Sequence, residues 1–489
     1  MSEQYRQAYR SLVQCTFGPK EQDIDNFLSF TSISQWAEQQ KALPRTSWQS
    51  LFEYNQNNHD KPGWTDVHLN CSWMHMTIEK EDILRQRIAY IFTQLFVISK
   101  NVPTLRSHDR KIAFANYYDQ LSQHCLSSFR DTLGVMARHA LMGEFLTYRD
   151  NNYKEGKNPD ENFAREILQL FTLGPIKLNQ NATPVLDDDG KEVPSYTQAD
   201  IENLARVFTG WQLDNGDWLK PMVDSGSHDT SSKFFLGQGI PGGMSADNEM
   251  DLVLDILTDH PNTAPYIVKF FIQKMVTANP SPEYIQRVAN EFSHSQGDMM
   301  AILVAILDDP EAKQSGGKYD GKLREPEIVY IHAHRALGIQ RRPEKLTWDN
   351  LYSWRGQRFW PMAAPSVFYY YQPDGSPSDE AFANHASPEF AVYNWIDCHY
   401  YHDQIRRACH QHGGIEYDFY QFKSLFEQFE DEALITKLDH QLFGYTMPEK
   451  VKAAVRKYLV ATPSNRSSNT RLWQLFIQLI FSPSFHTQG

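Results

Sequence analysis

The 489-residue chain has little cysteine, no excess of basic charge and no long apolar run, and each shortage excludes something. Its five cysteines, Cys15, Cys71, Cys125, Cys398 and Cys409, are far apart and odd in number. That suits reduced thiols and not a disulfide framework. Lys and Arg total 47 against 60 Asp and Glu, a formal net charge of −13. An acidic surface repels phosphate backbones, so no nucleic-acid partner is expected. No apolar stretch reaches the roughly 20 residues that span a bilayer, so no integral membrane segment is expected. No basic-then-apolar segment follows Met1, so the chain as given is expected in the cytoplasm unless a leader was removed. A Gly-x-Ser-x-Gly elbow and a His-Glu-x-x-His pair are missing too. Gly237, Gly239, Gly242 and Gly243 lack the preceding strand and following basic residue of a phosphate-binding loop.

What is there is ordinary globular composition, 41% hydrophobic and 22% charged, on a chain long enough for a large core without metal or disulfide. Apolar residues recur at three- and four-residue spacings, as in Ile83, Leu84, Ile88, Ile91, Phe92, Leu95 and Phe96, with Arg85 and Gln86 among the polar positions. The same period fills 109–148, 161–173, 197–208, 252–278, 282–308, 325–337, 389–412, 426–442 and 469–481. The stretches 44–66, 183–196, 214–245 and 357–379 read as irregular. The fold expected is mainly α: a large multi-helix body with long loop-rich insertions and at most a few short strands. One domain over 1–489 is the simplest organisation, with 380–489 as a separable helical part the alternative.

The densest polar constellation follows Tyr148. Asn158 or Asp160 can cap the helix that begins there, and Pro159 suits its first turn. Phe163, Ile167, Leu170 and Phe171 form its buried face. Glu161 and Arg165 stand four apart, as do Asn162 and Glu166, so two acids, a guanidinium and an amide project from about two turns. Asp150, Asn152, Asn158 and Glu161 loosely follow a calcium loop, but Lys154 and Glu155 occupy positions that need an oxygen ligand and a glycine. An ordinary capped helix with ion pairs explains the same residues. Downstream, Thr197 and Asp200 form a capping-box pattern, Gly210 ends a helix, and Arg206, Trp211, His228 and Asp229 follow. A histidine beside a carboxylate is a candidate base or metal ligand, and equally an idle loop residue.

Several blocks recur here in one order: DENFAREILQLFTLG, YTQADIENLARVFTGW, HDTSSKFFLG, KLREPEIVYIHAHRALG and MAAPSVFYYYQPDGSP, with LRQRIAYIFTQLFVIS and HPNTAPYIVKFFIQKMV fitting as well. Together they resemble the signature blocks of a bacterial family known as domain of unknown function 1800. The resemblance implies no established catalytic residue. It does imply export, and a sulfatase-like protein as partner.

Two readings of function lead, with a purely structural component as the third. One is an enzyme, hydrolytic toward an anionic or sugar-like substrate. In it Glu161 or Glu166 moves protons, Arg165 or Arg206 holds negative charge, His228 assists or binds a divalent metal, and Asn162 and Trp211 help bind substrate. The other is a non-catalytic binding or chaperone-like partner. Weaker candidates are a zinc set from Cys398, His399, His402, Cys409, His410 and His412, the pairs His332 with His334 and His68 with His75, and a stacking platform at 368–371.

Overall fold

Helix α1 (Glu3–Cys15) turns Leu12 and Cys15 inward, and helices α2 (Glu21–Leu28) and α3 (Ile33–Ala42) follow, α3 capped by Ser32 Oγ, which accepts the Gln35 N–H. The computed structural model describes residues 3–58, 65–105, 110–314, 321–338, 340–341, 362, 364–368, 417–418, 420–461, 469–480 and 482–488. Within these the protein is mainly helical, with four two-stranded antiparallel sheets. The expected architecture is therefore what is found.

Its details differ where local signals compete. The stretch 44–66, read as irregular, holds α4 (Trp48–Asn58) and the start of α5 (Thr65–Glu79). Asp119 receives the Trp48 N–H at 2.7 Å and the Gln49 N–H at 3.1 Å, so the cap of α4 comes from a residue far along the chain. Helix α6 (Ile83–Leu95) is buried on every side, Arg85, Gln86, Arg87 and Gln94 included. It packs on α3 and on α7 (Lys111–His124). The helical period over 109–148 is divided among α7, α8 (Phe129–Arg138) and α9 (Ala140–Phe145), with breaks at Ser128 and His139, each of which caps the helix that follows it.

A loop-rich middle follows. It contains the short α10 (Asn162–Glu166), α11 (Gln198–Val207), and the hairpins β1 (Trp211–Gln212) with β2 (Val223–Asp224) and β3 (Lys233–Phe235) with β4 (Gln238–Ile240). Then come α12 (Ala246–Asp259), α13 (Thr263–Met275), α14 (Pro282–His294), α15 (Met299–Asp308) and α16 (Pro310–Lys313). Strand β5 (Lys322–Leu323) pairs with Thr487–Gln488 and leads into α17 (Pro326–Ala336). That pairing holds the chain's end against the start of α17 and buries Lys322, Arg324 and Glu325. Among the described residues no helix is long and apolar enough to cross a membrane.

Candidate functional site

Helix α10 is brief because the chain widens after Glu166 into a π-helix, Ile167–Thr172. The Leu173 and Gly174 N–H groups both reach back to the Leu168 carbonyl at 3.0 Å. Widening leaves carbonyls short of partners, and the Tyr266 hydroxyl lies 3.2 Å from those of Gln169 and Leu170. Gly174 ends the segment at φ +74, and a Cβ there would lie 2.7 Å from the Tyr266 ring. Segments of π-helix are rare and concentrate at functional sites.

Glu166 stands at this junction. Its carboxyl is half-buried and has no hydrogen-bond partner among the described residues. Burial pushes its pKa up, and the neighbouring Arg165 only partly opposes this. The Tyr196 and Tyr266 hydroxyls are close enough that Glu166 adds to the upward shift burial gives them. Arg165 is 43% exposed and gives one nitrogen to Glu161 Oε2 at 3.0 Å. Gln198 donates to the same oxygen at 3.1 Å, so both contacts fall on one oxygen of Glu161. Asn162 is exposed, and its N–H is capped by Asp160 Oδ1 at 2.9 Å. Pro159 precedes the helix and does not begin it.

Arg206, Trp211 and His228 are grouped elsewhere. The capping box of Thr197 and Asp200 forms. Gly210 follows α11 at φ +83, where a Cβ would stand 2.7 Å from the His228 backbone nitrogen. Only a glycine lets the 228–229 loop lie so close. Arg206 donates from Nε to Asp229 at 2.7 Å, from Nη1 to Asn203 at 3.0 Å, and from Nη2 to Ser231 and to the Ser232 carbonyl. Burial works against ionisation of Asp229, but Arg206 and Ser231 outweigh it and hold the carboxyl at about 2. His228 Nδ1 lies 3.1 Å from the Thr209 carbonyl, and Nε2 lies 3.2 Å from Glu249 Oε2 without hydrogen-bond alignment. Lys233 Nζ is 2.8 Å from Glu249 Oε1 and 2.7 Å from Oε2, and donates to the Ser231 carbonyl at 2.9 Å. The lysine and glutamate side chains are fully buried. This network fastens the loop to α12. Trp211 is fully buried too, with its indole N–H unpaired.

Lys233 and Glu249 were not legible as partners. The only sequence sign was a lone charge beside apolar neighbours, Phe234 in one case and Met250 in the other. The same sign marks a second buried cluster. Glu325 Oε1 is 3.6 Å from Arg87 Nη2 and 3.5 Å from Gln94 Nε2, and Oε2 is 3.5 Å from Lys322 Nζ. Burial opposes ionisation of Glu325, yet Lys322, Arg87 and Lys274 outweigh it and hold the carboxyl well below the usual range.

Between α7, α8 and α12 runs a groove of about 750 Å³. Arg130 bridges Asp251 and Asp255, and Arg138 bridges Asp247 and Asp251, so its rim is already internally paired. At its floor His139 Nδ1 accepts the Leu141 N–H at 3.2 Å while Nε2 faces Asn116 Oδ1 at 3.1 Å. Burial lowers that histidine to about 3, so it is neutral.

The family model described as protein of unknown function (DUF1800) matches residues 10–487, nearly the whole chain. The chain belongs to the DUF1800 family. No curated protein and no solved structure matches it. Among the described residues of this DUF1800 chain no three His, Cys, Asp or Glu side chains gather as metal ligands. Asp150 pairs instead with Arg149, Asn152 with Ser225, and Glu161 with Arg165, so the calcium-like spacing does not converge. His332 and His334 lie on α17, and His68 and His75 lie on α5, not in a loop. The cysteine and histidine residues of 398–412 and the aromatics of 369–371 lie outside the described residues.

Proposed function

We propose that this DUF1800 chain is a hydrolytic enzyme for an anionic or sugar-like substrate, with Glu166 as its proton-transfer group. One observation carries the reading: a half-buried carboxyl, unpaired and shifted upward, stands where an α-helix opens into a π-helix. A carboxyl that burial pushes above its ordinary range can donate to a leaving oxygen. Arg165 is exposed beside it, and among the described residues only Glu161 engages its guanidinium, so further donors remain for a substrate anion. Glu161 and Gln198 orient that arginine, and Asn162 lines the open side. Arg206, His228 and Trp211 act in this scheme only as scaffold for the adjoining loop.

The test is a hydrolysis screen on p-nitrophenyl phosphate, sulfate and glycosides with the native chain and Glu166→Gln. Native turnover that falls about 10²–10⁴-fold in the variant, with folding unchanged, is the expected result. Equal turnover in both, or none in the native chain, would sink the reading.

A second reading, binding to a sulfatase-like protein, draws on the exposed apolar side chains Tyr153, Leu186, Val223 and Phe234, all in the loop-rich middle. Co-purification of the two proteins, weakened by Phe234→Ser, is its expected signature. Failure of the purified pair to associate would count against it.

A further inference from the structure

We propose that the groove between α7, α8 and α12 binds a neutral, hydroxyl-rich ligand of the saccharide class. This does not rest on the Glu166 reading.

Arg130 and Arg138 stand about two turns apart on α8, with Gly134 midway between them, and all three line the groove. The Nε and Nη2 atoms of each guanidinium are taken by α12. Arg130 reaches Asp255 at 2.7 Å and Asp251 at 2.9 Å, and Arg138 reaches Asp247 at 3.3 Å and Asp251 at 3.0 Å. Among the described residues neither arginine donates a hydrogen bond from Nη1. A Cβ at Gly134 would lie 3.1 Å from Nη1 of Arg130 and 3.7 Å from Nη1 of Arg138. The aspartates therefore fix the two guanidinium groups so that their free ends meet over a residue with no side chain.

Helix α7 contributes Gln120 and His124 to the same groove, and the turn into α8 contributes Ser127. These side chains are half-buried and make no hydrogen bond among the described residues, so they are within reach of a ligand. Burial lowers the His124 pKa, so its ring is neutral and offers one donor and one acceptor. The volume, about 750 Å³, is in the range that takes a small organic ligand.

Charge selects against ions. Three α12 carboxylates already offset the two guanidinium groups, so a free anion is not drawn in, and the Nη1 groups repel a cation. What the lining offers is a mixture of donors and acceptors, and a hydroxyl both gives and takes at one atom. Val135, Leu219 and Pro221 supply apolar surface for the C–H groups between hydroxyls. A peptide matches less well. The helical walls give no strand edge to extend, and a helical peptide needs an apolar groove.

The experiment is binding of the full native chain to an array of neutral glycans, followed by calorimetric titration at pH 7 with the glycan that binds tightest. Thermal unfolding verifies that each variant is folded. Saturable binding of a neutral glycan is expected, with no competition from sodium sulfate at constant ionic strength. Gln120→Ala is expected to weaken it about fivefold through the loss of a hydrogen bond. Gly134→Leu is expected to weaken it at least about tenfold, because its side chain fills the space where the two Nη1 groups meet. Should Gly134→Leu fail to fold, Gly134→Ala serves in its place, since alanine favours a helix and its Cβ still presses on Arg130. No neutral glycan bound, competition by sulfate, or unchanged affinity in either variant each overturns the proposal.

Discussion

Glu249 and Glu325 are both fully buried carboxylates facing a buried lysine, but their surroundings differ in kind. Lys233 closes on Glu249 at 2.7 and 2.8 Å and has a backbone carbonyl at 2.9 Å as well. Lys322 and Arg87 stop 3.5 and 3.6 Å from Glu325, and Arg87 keeps unpaired N–H groups. The first arrangement is closed and acts as a fastener. The second is looser, with its charges 3.5 and 3.6 Å apart. The same contrast separates the residues singled out from the sequence. Arg206 has a partner for each guanidinium nitrogen, while Arg165 shares one with Glu161 and is exposed. Asp229 is held ionised by its partners, while Glu166 has none and is pushed toward its protonated form.

The comparison can be broken most strongly at Glu249. Glu249→Ala leaves Lys233 buried and uncompensated and should cost about 3–5 kcal/mol in denaturant unfolding. A loss below about 1 kcal/mol would show that the closed cluster does not fasten the loop. Gly210→Ala comes next, since it forces a side chain into φ +83 against the His228 backbone. About 1–3 kcal/mol of destabilisation is expected in the same measurement. Arg87→Met sharpens the contrast from the other side. It removes the hydrogen bond from Nη2 to the Lys274 carbonyl and one of the charges that hold Glu325 ionised, and should cost about 1–3 kcal/mol in the same measurement.

Smaller still is the effect of Glu166→Gln. The folded state holds the Glu166 proton more tightly than the unfolded chain, because burial raises its pKa. Stability therefore falls as pH rises from the ordinary carboxyl range through the raised value. The variant lacks that proton and should be slightly more stable than the native chain at pH 7, with the difference vanishing below the ordinary carboxyl range. Thermal unfolding across that window checks the sign. A variant less stable at pH 7 would mean that the carboxylate is a structural partner of Arg165. Phe234→Ser, at a hairpin residue 61% exposed, should stay within about 0.5 kcal/mol.

The helical fold was legible because its apolar period is local, and a helix declares itself within a few turns. Its interruptions were less so. Residues 252–278 read as one helix, but the structure ends α12 at Asp259 and restarts at Thr263, with Pro261 between. Residues 282–308 are split by Gln296 and Gly297, both at positive φ. Arg85 and Gln86 read as the wet side of α6 because periodicity reports which face is apolar, not whether the other face meets water. Here it meets carbonyls, Arg85 that of Ser122 at 3.1 Å and Gln86 that of Thr46 at 3.1 Å. Glu161, Arg165 and Glu166 were readable as neighbours because they share one helix. Arg206 meets Asp229, His228 faces Glu249 and Arg87 faces Glu325, each across distant segments, and one sequence carries no sign of which distant charges meet.

The most direct measurement is an infrared titration of the Glu166 carboxyl, taken as the difference between the native chain and Glu166→Gln. The account predicts a protonated carboxyl band that persists above the ordinary glutamate range and disappears only at higher pH. A carboxyl that ionises within the ordinary range would contradict it, and would leave the α–π junction without a proton to transfer.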